Sequence, residues 1–188
     1  MRAVWMGLAA AALAVVPAQA QRGLSAEVRG GASAGNYAGA SSDFEVAPLP
    51  SVSATASYGV TDAIGVYAGV SHSSFGCDAG FCADREMRFS SGGVEGGVEL
   101  RLPVVASPWL RAGLVSHSLQ FHSGVARESE ARDGQETSGV GWSAAGGVEL
   151  RLGRRLSVTP GVRYVRYGAA GDDGVALLVG DVGLKIRL

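Results

Sequence analysis

The chain is short of most residue types that would place it in another class. Its 188 residues include two cysteines and six prolines, and only 7% are aromatic and 18% charged. Two thiols with no neighbouring Cys or His ligands do not make a metal centre, so no metal and no cofactor is expected. So little proline excludes a linker-like disordered chain. There is no block of like charge, and a net charge of −1 carries no basic excess for nucleic acid, so no nucleic-acid partner is expected. Helical 3.6-residue periodicity is almost absent beyond the N-terminus. No second apolar run reaches the roughly 20 residues of a membrane-spanning helix. Glycine is the exception, with 29 residues, about twice its usual share of roughly 7%. It follows no Gly-X-Y period, which excludes collagen.

What is present begins with an export signal. Arg2 precedes the apolar stretch Ala3–Val16, and Pro17-Ala18-Gln19-Ala20 places small residues at the A-x-A positions. This pattern predicts a signal peptide over 1–20, cleaved after Ala20, and a mature domain over 21–188. Export agrees with the two cysteines, Cys77 and Cys82, which are expected to form a disulfide outside the reducing cytosol. Its small ring contributes about 2 kcal/mol in the chain-entropy account.

The mature chain alternates with period two, the signature of strands with unlike faces. In the last segment Leu178, Gly180, Val182, Leu184, Ile186 and Leu188 share one face, and Val179, Asp181, Gly183, Lys185 and Arg187 the other. The heptad Gly-Gly-Val-Glu-Leu-Arg-Leu occurs at 96–102 and again at 146–152, as expected of a local hairpin repeat. The pattern predicts eight strands: Leu24–Asn36, Leu49–Tyr58, Ile64–Phe75, Met87–Leu102, Ser107–Phe121, Ser138–Leu152, Leu156–Tyr167 and Val175–Leu188. Short turns near 60–63, 103–106 and 153–154 alternate with longer connections near 37–48, 76–86 and 122–137. The expected fold is therefore all-β: an eight-stranded antiparallel up-and-down barrel with short turns on one rim and long loops on the other.

Alternation leaves open which face points inward. In a membrane barrel the charged face lines the lumen, where Glu27, Arg29, Glu95, Glu99, Arg101, Arg111, Glu149, Arg151, Arg163, Asp181, Lys185 and Arg187 would pair across the interior. Eight strands leave room for side chains but not for an open channel. Glycines such as Gly31, Gly97, Gly113, Gly147, Gly161 and Gly183 would make space for them. In a soluble lipocalin-like barrel the apolar face would instead surround a ligand cavity. Against that stands an apolar face rich in Ala, Gly and Val and poor in aromatics.

On these features the mature chain resembles the small outer-membrane β-barrel family that includes the OmpA-like and OmpX-like barrels. The alternating ending Val182, Leu184, Ile186, Leu188 is similar to that family's terminal assembly signal, although the family usually ends in an aromatic residue. The resemblance implies an outer-membrane location in a Gram-negative-type cell, and lipid and lipopolysaccharide as surroundings. It also implies insertion by the outer-membrane assembly machinery, a monomeric state and no enzymatic activity. The surface partner is left open. One enzymatic alternative rests on His72 and Ser74, whose spacing is similar to the His-x-Ser of outer-membrane lipid A deacylases. Gly141–Gly147 is glycine-rich but reads as strand, with no phosphate-cradling helix after it. Glu128, Glu130, Asp133 and Glu136 cluster in the third long connection without a calcium-binding spacing.

Overall fold

In a computed structural model the described residues are 23–38, 48–77, 87–104, 106–123, 137–168 and 174–188. The expected signal peptide, the Cys82 half of the expected disulfide and the acidic cluster at 128–136 lie outside them. Nine strand segments follow in chain order: β1 (Gly23–Ala38), β2 (Pro48–Gly59), β3 (Ile64–Cys77), β4 (Met87–Arg101), β5 (Pro108–Ser123), β6 (Thr137–Val148), β7 (Leu150–Arg151), β8 (Leu156–Gly168) and β9 (Gly174–Arg187). β6 and β7 are two parts of one strand. Gly147 pairs with Gly161 and Leu150 with Val158, so the register carries through the break. Pro160, which has no N–H to give a ladder, falls opposite that break.

Every pairing is antiparallel between chain neighbours, and β1 pairs with β9 from Ser25↔Arg187 to Ala38↔Gly174. The further pairing of β6 with β8 completes the ring, giving a closed eight-stranded barrel. Closure leaves no sheet edge, which is what allows strands to cross a membrane with every backbone group satisfied.

The facing is unambiguous. Val28, Leu114 and Val140 are each 65% exposed on the outer wall, while Glu99 and Glu149 are 1% exposed inside. A soluble barrel with an apolar cavity needs the reverse arrangement, so the lipocalin-like alternative does not fit. The turn between β2 and β3 is held by Thr61, whose Oγ1 accepts from the Ala63 and Ile64 amides at 3.2 and 2.9 Å. Leu152 N donates to Leu156 O at 2.9 Å and closes the turn between β7 and β8. Leu188 N donates to Leu24 O at 2.9 Å and ties both ends of the barrel to this short-turn rim.

Candidate functional site: the barrel interior

Because side chains alternate, each strand sends every second residue into a narrow space, and those residues meet across the barrel. Five acids (Glu27, Glu95, Glu99, Glu149, Asp181) and five bases (Arg29, Arg101, Arg111, Arg163, Lys185) are buried there. Equal numbers of each sign satisfy the requirement that buried charge be paired.

Glu27 on β1 is the hub. Its Oε1 accepts from Arg29 Nη1 at 2.6 Å and from the Thr159 hydroxyl, and its Oε2 accepts from Arg111 Nη2 at 2.6 Å. Each arginine also reaches a second carboxylate: Arg29 donates to Asp181 at 2.5 Å, and Arg111 donates through Nε to Glu99 at 2.5 Å. Toward the short-turn rim Glu99 also pairs with Arg101. Lys185 lies 3.9 Å from Glu99 and 3.4 Å from Glu149. Glu149 in turn accepts from Arg187 and, at 2.9 Å, from Ser157. Toward the loops Arg163 stands 3.4 Å from Glu95.

Aromatic faces and missing side chains hold these groups in place. The Trp109 ring meets two guanidinium groups, Arg29 at 4.8 Å and Arg111 at 5.1 Å, and Arg111 also lies 5.3 Å from the Tyr67 ring. Such stacking suits a planar, weakly hydrated cation. A carbon added at Gly161 would sit 2.8 Å from both Arg29 Nη2 and Trp109 Cζ2. One added at Gly183 would sit 2.6 Å from Glu27 Oε1 and would collide with the Thr159 hydroxyl. These glycines are therefore spacers for the charged layer.

Of the twelve charged residues expected in the lumen, eleven point inward, Arg187 only half-buried at the rim. Arg151 is the correction: it is exposed. It lies beyond Glu149, the last inward charge of its strand, where the interior ends and the turn begins. Alternation predicts a direction but not where the packed interior stops. The reading of charges alone also passed over Thr159 and Tyr67. Their inward parity was visible in the sequence, but their neutral side chains gave no signal of a role. His72 is exposed on the outer wall, away from this interior, and Ser74 shares its face by parity. The space bounded by Arg29, Tyr67, Glu95, Trp109, Arg111 and Arg163 holds a cavity of about 10 Å³, room for about one water.

A closed antiparallel barrel, apolar outside and charged inside, is a membrane-spanning β-barrel. The chain belongs to the family described as outer membrane protein beta-barrel domain, which it matches over residues 7–183, and that membership implies an outer-membrane location. No curated protein sequence matches it. Among solved structures it is similar to Neisserial surface protein A, at 12% identity and TM-score 0.63, covering 90% of this chain and 99% of that one. It is also similar to Ail, the attachment invasion locus protein of Yersinia pestis, solved with a heparin analogue, sucrose octasulfate. There the identity is 14% and the TM-score 0.55, covering 88% of this chain and 99% of that one. Outer membrane protein OprG from Pseudomonas aeruginosa matches at 12% and 0.53, over 89% and 98%. At these identities the likeness concerns the fold.

Proposed function

We propose that this protein is a non-enzymatic outer-membrane barrel with a structural or surface-interaction role. In this reading its interior is sealed by ion pairs, and its long connections form the working surface. The observation that supports the reading is the set of ten charged side chains buried inside the barrel, which leave about 10 Å³ between Arg29, Trp109 and Arg163. A hydrated ion needs a continuous water path, and charged side chains paired across an eight-stranded lumen would block one. Loops carried on a rigid scaffold are the usual place for binding function, and they are the part free to vary. Lipid and lipopolysaccharide are the proposed surroundings, the assembly machinery the proposed route of insertion, and the monomer the proposed state. Purified protein in planar bilayers should pass no steady ionic current. A reproducible open-channel current would overturn the sealed-barrel reading.

A further inference from the structure

Among the described residues, exposed positive charge at the short-turn rim gathers on one hairpin. The turn after β2 carries Asp62 alone, and the connection after β4 carries no charged residue. The hairpin joining β7 to β8 carries Arg151, Arg154 and Arg155, all exposed. Arg187 N donates to Arg155 O at 2.9 Å, so the end of β9 pins this turn in place. Arg187 itself is engaged by Glu149. Among the described residues no carboxylate forms an ion pair with Arg151, Arg154 or Arg155. The buried interior charges are matched, whereas these three exposed cations on one hairpin have no ion-pair partner among the described residues.

Their position indicates what supplies it. Leu150 and Leu152, 46% and 64% exposed, lie on the same hairpin, and Ile186, 45% exposed, lies on the neighbouring strand. The arginines therefore begin where the lipid-facing aliphatic wall stops, at headgroup depth. Arginine can lay its stem along apolar surface and turn its guanidinium toward a phosphate, which it can hold with two hydrogen bonds. A soluble acidic partner would explain the charge but not the continuous aliphatic fringe. We propose that Arg151, Arg154 and Arg155 form a docking surface for anionic phospholipid headgroups in the leaflet at the short-turn rim. The inference rests on the barrel's membrane placement.

The test uses the whole mature protein in mixed vesicles of phosphatidylcholine and phosphatidylglycerol, with native mass spectrometry counting the lipids retained. Phosphatidylglycerol should be enriched around the wild type. Arg154→Gln with Arg155→Gln should reduce that enrichment at least about tenfold, since one surface arginine is worth about fivefold. High salt should remove it from the wild type without any mutation. Folded, inserted wild type showing no enrichment, or the double variant keeping it, overturns the proposal. Binding of a soluble polyglutamate peptide through these arginines, with no phosphatidylglycerol preference, overturns it in favour of a protein contact. Failure to insert into vesicles at all strikes the membrane placement instead, so the two ideas fail separately.

Discussion

The two halves of the barrel interior solve the same problem differently. Near the short turns the space is filled by Glu27, Glu99, Glu149 and the bases that reach them. Toward the long connections the buried side chains, among the described residues, include Ser33, Ser51, Ser73 and Ser91 together with Val115, Val165, Leu177 and Val179. His117 packs there against Tyr167, with ring centroids 4.1 Å apart. Both halves bury polar atoms away from lipid and water. The lower half uses groups that each serve two or three partners, and the upper half, beyond the Arg163–Glu95 pair, uses local hydroxyl hydrogen bonds, Ser51 to Ser73 and Ser33 to Ser74 O, and apolar contact. A shared charge network is highly sensitive to losing one member, because the others remain buried and uncompensated. A hydroxyl pair loses only itself. The lower half should therefore act as a lock, and the upper half should tolerate change.

The strongest way to break this comparison is to remove the hub. Glu27→Ala takes one carboxylate from Arg29 and Arg111 and the acceptor from Thr159. Breaking a buried pair by deleting one partner costs about 3–5 kcal/mol. Urea unfolding of the vesicle-inserted protein, followed by the heat-modifiable shift on a gel, should show a loss in that range. A loss under 1 kcal/mol, by the same measure, would mean that the network contributes little to the lock.

Glycines sharpen the contrast between inside and outside. Gly183 faces the network, and a methyl group there meets Glu27 and Thr159. Gly180 lies on the outer face of the same strand, with nothing within 4 Å of an added carbon. Gly183→Ala should cost about 1–3 kcal/mol through overpacking, and Gly180→Ala should stay within about 0.5 kcal/mol. Equal effects at the two sites would show that the cost is one of strand propensity rather than space.

Much of this architecture is legible in the sequence, because a membrane barrel must repeat one simple rule along every strand. The parity of Glu27, Arg29 and Arg111 placed them on one face, and parity is local. Their partners were not legible. Arg29 meets Asp181 across 152 residues, and Arg111 meets Glu27 across 84. Such pairs depend on register and strand tilt, which no single strand encodes. Trp109 shows the same limit: its buried place in the interior has a reason only in the guanidinium groups of Arg29 and Arg111 over its ring. Arg151 shows the opposite failure. Its parity is inward, but the interior ends before it, so it belongs to the rim.

The smallest expected effect is in the upper half. Ser51 and Ser73 share a hydroxyl–hydroxyl hydrogen bond of 2.8 Å and are 3% and 2% exposed. Ser51→Ala removes that bond and leaves the Ser73 oxygen with one partner fewer, a loss of about 1 kcal/mol. No charge is stranded and no cavity larger than a hydroxyl is made, so the neighbours have nothing further to lose. Measured by the same urea series, the loss should be a third or less of the Glu27→Ala loss. If Ser51→Ala instead matched Glu27→Ala, the hydroxyl layer would be as cooperative as the charged one. The barrel would then be locked along its whole length rather than at its short-turn end.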